Sequence, residues 1–118
     1  MSSAKNSEFK KDVNFVFGDI RDYDSVDKVS KGKDLILHLA ALVGIPYSYY
    51  SPLAYIKTNL EGTYNVLESA KNNNVSQLIV TSTSETYGSA KKIPMNESHR
   101  LIGQSPYSAS KFLLINYQ

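Results

Sequence analysis

The segment from residue 35 to residue 81, LILHLAALVGIPYSYYSPLAYIKTNLEGTYNVLESAKNNNVSQLIVT, decides the fold. It opens and closes with short apolar runs, Leu35 to Leu39 and Gln77 to Thr81, which are typical of buried parallel strands covered by helices. From Ser51 to Asn73, with Pro52 in the first turn, apolar positions recur at helical spacing and predict one long amphipathic helix: Leu53, Ile56, Leu60, Tyr64, Leu67 and Ala70. Strand, helix and strand in this order predict a parallel α/β sheet with right-handed crossovers.

The flanking segments extend the same alternation. Val13 to Phe17 is a short apolar and aromatic run that predicts a third buried strand, placed first in the chain. Asp24 to Lys31 predicts a short helix that ends at Gly32, a residue common just after a last helical turn. The final helix is predicted to begin with Ser105 as its N-cap and Pro106 at its first helical position.

The composition excludes several classes of protein. The 118 residues include no cysteine, so disulfides and thiolate metal sites are excluded, and no other metal site is expected. The 13 basic and 11 acidic residues are interleaved along the chain, which does not indicate a nucleic-acid partner. No apolar run approaches the roughly 20 residues that cross a bilayer, so no membrane partner is expected. The polar first twelve residues do not resemble a secretory signal, which predicts a cytoplasmic location.

Ligands of parallel α/β sheets bind beyond the carboxyl ends of the strands. The segments that leave those ends are Gly18 to Asp22, Ala40 to Tyr50 and Ser82 to Gln104. The third is a long polar stretch, and loops of that length tend to be functional. We expect the three segments to share one crevice.

The sharpest local feature is Tyr107-Ser108-Ala109-Ser110-Lys111. A spacing of four residues puts the phenol and the ammonium on one helical face, one turn apart. An ammonium beside a phenol favours the phenolate, the form that can take a proton from a hydroxyl group. By spacing alone, a solvated tyrosine and lysine on a helix surface would be the favoured explanation of the pair.

The context of this pair resembles a known family. Thr81-Ser82-Thr83-Ser84-Glu85-Thr86-Tyr87-Gly88 follows a predicted strand, and Thr83 stands 24 residues before Tyr107 (107 − 83 = 24). Thr83, Tyr107 and Lys111 match the serine or threonine, the tyrosine and the lysine of the extended short-chain dehydrogenase/reductases, also called the NAD-dependent epimerase/dehydratases. The resemblance implies a partial doubly wound, Rossmann-type sheet and an enzyme that oxidises a nucleotide sugar.

Further motifs occur in family order. Gly18 to Asp22 resembles the adenine-contacting loop, His38 to Ala41 the strand end beside the cofactor, and Thr58 to Thr63 the helix that follows. Residues 44–49 and 103–111 look most like nucleotide-sugar 4,6-dehydratases that act on N-acetylglucosamine. The resemblance implies NAD as the cofactor, with NADP left open, and these contacts to it: Asp19, Ile20, Leu39, Ala40, Ala41, Asn59, Thr81, Tyr107 and Lys111.

The resemblance also implies a mechanism. Tyr107 would take the proton of the sugar C4 hydroxyl, Thr83 would hydrogen-bond that oxygen, and Lys111 would hold the nicotinamide ribose and favour the phenolate. Glu85 would remove the C5 proton before water leaves C6, and Ser84 and Tyr87 would contact the substrate. Many family members carry an acid where this chain has Ser84. An epimerase or a UDP-glucuronate decarboxylase of the same family therefore stays as an alternative.

One family feature is not found in this sequence. The six glycines lie at positions 18, 32, 44, 62, 88 and 103, so none forms the glycine-rich turn that holds a pyrophosphate. By the resemblance, residues 1–118 are an internal fragment of a dinucleotide-binding domain. It would lack the first two strands, which would lie between the strand at Val13 and the strand at Leu35, and most of the sugar-binding part. Such a piece is expected to be inactive alone, while the full-length form would be a homodimer. A non-catalytic binding remnant and a folded scaffold are the competing interpretations.

Overall fold

The computed structural model of the chain describes residues 13–115. In chain order the elements are α1 (Tyr23–Ser30), β1 (Leu35–His38), α2 (Ile45–Tyr50), α3 (Pro52–Tyr55), a π-helical segment (Ile56–Glu61), α4 (Gly62–Asn72), β2 (Gln77–Val80), a 3-10 helix (Ser84–Tyr87) and α5 (Pro106–Ile115). None of the helices in this described range is long and apolar enough to cross a membrane.

The strand, helix and strand predicted from residues 35–81 are present. Strands β1 and β2 are parallel neighbours, paired from Leu35 with Gln77 to His38 with Val80. The helical connection between them packs against β1, so Ile36 and His38 turn toward the helices, while Leu35 and Leu37 stay about half exposed on the opposite face. The α/β class with a parallel sheet is therefore confirmed, and residues 13–115 contain two of its strands.

The predicted helix from Ser51 to Asn73 forms as three successive segments, α3, the π-helical segment and α4, called here the long helix (residues 52–72). Its orientation differs from the expectation of a buried apolar stripe. Leu53 is 60% exposed and Ile56 is 48% exposed, whereas the buried face carries Tyr55, Asn59 and Thr63, each at most 1% exposed. The sequence identified the helix correctly; of the predicted apolar positions Ala70 is buried, whereas Leu53 and Ile56 lie on the outer face.

The strand predicted at Val13 to Phe17 is wrong. These residues have no regular secondary structure, and Phe17 is 83% exposed. A strand is stabilised by a ladder of hydrogen bonds to a neighbour, and the parallel sheet of residues 13–115 consists of β1 and β2 only. In the doubly wound order two further strands would separate this segment from β1. The apolar run from Val13 to Phe17 therefore has no neighbouring strand within residues 13–115 to pair with.

The segment from Ala40 to Tyr50, predicted only as a connection, contains the helix α2. Gly44 stands at its amino end with φ of +117°, a conformation that side-chain-bearing residues rarely adopt, and Pro46 lies in the first turn. The other predicted helices agree with the structure to within one residue at each described end. Asp22 caps α1 by accepting the Asp24 backbone N–H, and α5 begins at Pro106.

Candidate active site

The helix α5 is fixed at its start by a reciprocal pair of serines. The Ser108 backbone N–H donates to Ser105 Oγ (3.0 Å), and the Ser105 backbone N–H donates to Ser108 Oγ (2.9 Å). This cap satisfies two donors at the helix start, as a capping box does. It sets the rotation of the helix from which Tyr107 and Lys111 project, and it confirms Ser105 as the predicted N-cap.

Tyr107 and Lys111 lie together in a largely buried position, with exposures of 7% and 6%. The Lys111 ammonium donates a 2.7 Å hydrogen bond to the Thr81 carbonyl, directly after β2. Burial lowers the pKa of Lys111, because a low-dielectric surrounding disfavours the charged form. The structure thus brings the amine to the carboxyl end of the sheet, where the resemblance expects the cofactor and substrate.

His38 lies behind this lysine at the end of β1. Its side chain is 6% exposed, and Nε2 is 2.9 Å from Thr63 Oγ1 on the long helix. Burial, and then the positive charge of Lys111, lower the pKa of His38. Both influences favour a neutral imidazole, which leaves Lys111 as the positive charge at this end of the sheet.

The turn after β2 carries the other predicted catalytic side chains. Thr83 caps the 3-10 helix: its Oγ1 accepts the Glu85 backbone N–H at 3.3 Å. The side chains of Ser84 and Glu85 are exposed, and Tyr87 is half-buried. Within this short helix the Thr86 hydroxyl donates to the Thr83 carbonyl (2.7 Å). The hydroxyl, carboxylate and phenol side chains are therefore presented on one turn next to the end of β2.

The long connection from Ser82 to Gln104 is attached to this turn. The Ile102 backbone N–H donates to the Thr86 carbonyl at 2.7 Å, and the rings of Tyr87 and His99 meet edge to face with centroids 5.7 Å apart. The Tyr49 hydroxyl on α2 donates to the Gln104 carbonyl (3.2 Å), which joins this connection to the segment after β1.

The segment after β1 is held by Asn59, which the sequence assigned to the cofactor. The Asn59 amide accepts the Leu42 backbone N–H (2.8 Å) and donates to the Leu42 carbonyl (3.0 Å) and to Ser110 Oγ (3.0 Å). Asn59 is fully buried, so its hydrogen bonds go to protein groups. Leu39 and Ala40 are left exposed at the strand end, together with the neighbouring Ala41 in a half-buried position.

The segment after Phe17 is held further along the long helix. The Asn65 amide donates to the Ile20 carbonyl at 2.9 Å, and a Cβ added at Gly62 would lie 2.5 Å from the Ile20 side chain. Asp19 accepts the Arg21 backbone N–H (2.9 Å) and pairs with the Arg21 guanidinium. These hydrogen bonds lower the pKa of Asp19 to about 2, so this exposed carboxylate is ionised at neutral pH.

Two of the three segments predicted to share a crevice are joined by the hydrogen bond from Tyr49 to Gln104. Lys111 of α5 binds the Thr81 carbonyl, directly before the second of these segments. The third, from Gly18 to Asp22, docks on the long helix at Gly62 and Asn65. A cleft of about 190 Å³ borders Asp19 and Ile20, and it is lined also by Val16, Gly18, Ser25, Val26 and Val29. Asn59 and the segment that carries Asp19 and Ile20 are thus placed along the long helix, whereas Tyr107 and Lys111 lie on α5.

Comparison with known proteins decides the family. The sequence model described as GDP-mannose 4,6 dehydratase matches residues 1–117. The chain belongs to this family of NAD-dependent epimerases and dehydratases. The resemblance stated from Thr83, Tyr107 and Lys111 is therefore confirmed at the level of the family, while the role of each residue stays a prediction.

Family members with names and structures support this assignment. The bifunctional UDP-glucose 4-epimerase and UDP-xylose 4-epimerase 1 of Pisum sativum is 33% identical over 110 residues, which is 92% of this chain and 31% of that protein. UDP-N-acetylglucosamine 4-epimerase from Methanobrevibacter ruminantium superposes with a TM-score of 0.81 at 35% identity, covering 86% of this chain and 33% of its own. The dTDP-glucose 4,6-dehydratase of Streptomyces venezuelae, crystallised with NAD, gives 0.79 at 37% identity, covering 83% and 30%.

These likenesses confirm the partial Rossmann-type fold that the sequence predicted. The chain spans about a third of the length of the curated relatives it matches. The relatives comprise epimerases as well as dehydratases, so the family membership leaves the exact reaction open.

Several residues around the site were missed by the sequence analysis. Tyr55, Thr63, Asn65 and Ser110 hold loops, the end of β1 or α5 in place, yet none was singled out. One signal was available: Tyr55, Asn59 and Thr63 recur every fourth residue, which places three polar side chains on one helical face. A polar stripe in a helix that packs on a sheet indicates hydrogen-bond partners inside the protein.

Proposed function

We propose that the protein is an NAD-dependent nucleotide-sugar 4,6-dehydratase. The observation that carries this proposal is the buried Tyr107–Lys111 pair, whose ammonium is fixed on the Thr81 carbonyl two residues before Thr83. A phenol, an ammonium and a hydroxyl at one end of a sheet are the groups that oxidation of a secondary alcohol requires. The named relatives of the chain act on nucleotide-linked sugars.

In the proposed reaction, Tyr107 takes the proton of the sugar C4 hydroxyl and Thr83 hydrogen-bonds the same oxygen. NAD, held by Lys111 and by the segment from Leu39 to Ala41, would supply a hydride acceptor for C4 and a hydride donor for C6 without net consumption. The carbonyl at C4 acidifies the C5 proton, which Glu85 removes. The C6 hydroxyl leaves as water with the proton that Glu85 took from C5. When hydride returns to C6, C5 takes up a proton from solvent, and Tyr107 releases its own proton to solvent. Ser84 and Tyr87, on the same 3-10 turn as Glu85, contact the sugar.

The residues present fit two parts of a dinucleotide. At one end, Asp19 and Ile20 offer an ionised carboxylate and backbone groups beside a cleft of about 190 Å³, which suits adenine. At the other, the Lys111 ammonium suits the hydroxyls of the nicotinamide ribose, next to Thr81 and to the segment from Leu39 to Ala41. The proposal is for NAD, and NADP is a second possible form, since these residues do not contact the ribose position at which the two differ.

A 4-epimerase is the second candidate, favoured by Ser84. A serine hydroxyl is a poor acid for expelling water from C6, and epimerisation at C4 needs no such acid. The 35% identity to a UDP-N-acetylglucosamine 4-epimerase agrees with this alternative. A UDP-glucuronate decarboxylase shares the same first step, because a C4 ketone also activates a neighbouring carboxylate for loss of carbon dioxide.

We also propose that the protein forms a homodimer through the outer face of the long helix and α5. Leu53 and Ile56 are 60% and 48% exposed, and Leu113 on α5 is 48% exposed. Apolar residues that follow the exposed side of a helix mark an interaction surface when they form a continuous patch. The domain extent of residues 1–118 and the cytoplasmic location stay predictions.

The reaction can be assigned by product analysis. The intact protein is incubated with NAD and, separately, with UDP-N-acetylglucosamine, UDP-glucose, dTDP-glucose and UDP-glucuronate, and products are read by proton NMR. A 4-keto-6-deoxy sugar supports the dehydratase, a C4 epimer the epimerase, and a UDP-pentose the decarboxylase. Failure to alter C4 in any of these sugars, with NAD bound, would contradict the proposed function.

A further inference from the structure

Tyr55 on the long helix touches both the segment after β1 and the catalytic tyrosine. Its side chain is 1% exposed, and its hydroxyl donates to the Gly44 carbonyl (2.8 Å) and the Val43 carbonyl (3.2 Å). Its ring meets the Tyr107 ring edge to face, with centroids 6.1 Å apart and an interplanar angle of 74°. One buried side chain therefore contacts two parts of the candidate site.

Asn59, one turn further along, makes a parallel connection. Its amide binds the backbone N–H and carbonyl of Leu42 and donates to Ser110 Oγ, as described above. The Ser110 hydroxyl in turn donates to the Tyr107 carbonyl at 2.7 Å. Asn59 thus connects the same segment after β1 to the same turn of α5.

Together the two side chains occupy four backbone groups of three consecutive residues, Leu42 to Gly44, called here loop 42–44. The positive φ of Gly44 gives this loop a sharp turn at its end, and Tyr55 and Asn59 lie on either side of the start of the π-helical segment. Single π turns in helices occur frequently at functional sites. In this chain the wider turn lies where the helix must present two polar side chains to one loop.

We propose that Tyr55 and Asn59 are positioning residues, a clamp that holds loop 42–44 and α5 in one arrangement and orients the Tyr107 ring through Tyr55. The clamp acts through Tyr107, and through Leu39 to Ala41, which directly precede the loop. This inference rests on the proposed function only for its effect on turnover.

Three variants of the intact protein test the Tyr55 half of the clamp and separate the role of its hydroxyl from that of its ring. Tyr55→Phe removes the hydroxyl but keeps the ring, Tyr55→Leu removes both, and Tyr50→Phe is the matched control, because Tyr50 is 86% exposed on α2. Three quantities are measured: hydrogen exchange of the Leu42 amide, the ¹³Cζ NMR resonance of Tyr107 assigned with Tyr107→Phe, and kcat and KM for the nucleotide sugar that is turned over.

The clamp predicts a graded result. In Tyr55→Phe the Leu42 amide exchanges about fivefold faster and kcat falls about fivefold, the size of one lost hydrogen bond, with KM within about twofold. In Tyr55→Leu the Tyr107 resonance shifts as well and kcat falls about fiftyfold, because small misplacements of reacting groups are costly. A merely structural role would lower the melting temperature without lowering kcat at an unchanged KM.

The proposal is overturned if Tyr55→Phe leaves Leu42 exchange and kcat equal to those of Tyr50→Phe. It is equally overturned if a folded Tyr55→Leu protein keeps the wild-type Tyr107 resonance. Should Tyr55→Leu not fold, the conservative Phe variant decides the question alone. Absence of turnover in the wild-type protein would count against the proposed function, whereas exchange and the NMR resonance would still support or refute the clamp.

Discussion

The two faces of the first half of the long helix, residues 52–63, carry the opposite of what a soluble protein usually shows. The inner face presents Tyr55, Asn59 and Thr63, which are fully buried, while the outer face presents Leu53 and Ile56, which are about half exposed. A helix that only filled the core would be arranged the other way round. The difference indicates that the inner face fixes loop 42–44 and the end of β1, and it leaves the outer face for the dimer contact proposed above.

Each inner polar group has its partner. Tyr55 and Asn59 bind loop 42–44, and Thr63 binds His38. Among the described residues, no buried side-chain nitrogen or oxygen lacks a hydrogen bond. Hydrogen bonds to backbone groups specify position more sharply than apolar contacts, since they are short and directional. The candidate site therefore derives its geometry from polar anchors on this helix.

The inner face is tested most severely by Asn59→Leu, which is similar in volume but has no polar atom. It leaves the Leu42 N–H and carbonyl without their partner and removes the donor to Ser110 Oγ, so we expect the free energy of unfolding to fall by about 3 kcal/mol. The measurement is urea unfolding of the intact protein. Asn72→Leu, at the exposed end of the same helix, should change it by no more than about 0.5 kcal/mol. Equal effects of the two variants would show that the inner asparagine is not an anchor.

A smaller loss is expected for Asn65→Leu, because Asn65 donates one hydrogen bond, to the Ile20 carbonyl. The predicted decrease in the free energy of unfolding is about 1 to 2 kcal/mol. Hydrogen exchange should accelerate between Gly18 and Asp22 and stay unchanged at Leu42. If exchange rises at Leu42 instead, the two loops are not anchored separately along the helix.

The contact of the inner face with His38 predicts a pH dependence. Burial and the charge of Lys111 lower the pKa of His38 in the folded protein, so below about pH 6.5 the unfolded chain binds a proton that the folded chain does not. The stabilisation is present above that pH and is lost as pH falls toward the folded pKa, by at most about 1.4 kcal/mol per pH unit. Urea unfolding between about pH 7 and 5 should show a shallower loss in His38→Gln. Identical slopes for wild type and variant would contradict a neutral buried His38.

The outer face predicts the smallest effect on folding and a separate effect on assembly. Replacing Leu53 and Ile56 by lysine should change the free energy of unfolding of the monomer by no more than about 0.5 kcal/mol, because both side chains are half exposed. Sedimentation of the intact protein should show dissociation of the dimer. A variant that sediments like the wild type would place the dimer surface elsewhere.

How much the sequence revealed differs between these parts of the molecule. Apolar runs identified β1, β2 and the long helix, because burial between layers demands them. The same periodicity could not tell the inner face from the outer one, since Leu53 and Tyr55 lie on helical stripes of equal spacing. The run from Val13 to Phe17 suggested a strand, but the pairing that makes a strand depends on a neighbour and not on its own residues.

The candidate site shows the same limit on what can be predicted from sequence. Tyr107, Lys111 and Thr83 could be singled out because their spacing is characteristic of a family, and the family is confirmed. The anchors Tyr55 and Asn65 bind backbone groups of distant segments, and backbone groups leave no trace in the residue types of their own positions. Ser110 binds the Asn59 side chain, a contact that only the folded structure brings together. Asn59 was found as a cofactor contact, which stays a prediction, and its amide also holds Leu42 and Ser110.

The central claim is that Tyr107 carries out oxidation at C4 of a nucleotide sugar, and one measurement tests it most directly. The intact protein and its Tyr107→Phe variant are given NAD and a nucleotide sugar deuterated at C4, and the transfer of deuterium is followed by NMR. The account predicts that the wild type moves the label from C4 and that the variant does so about a thousandfold more slowly, with Tyr50→Phe unchanged. Label transfer by Tyr107→Phe at a rate within threefold of the wild type would contradict it, because a general base contributes at least about a hundredfold to the rate.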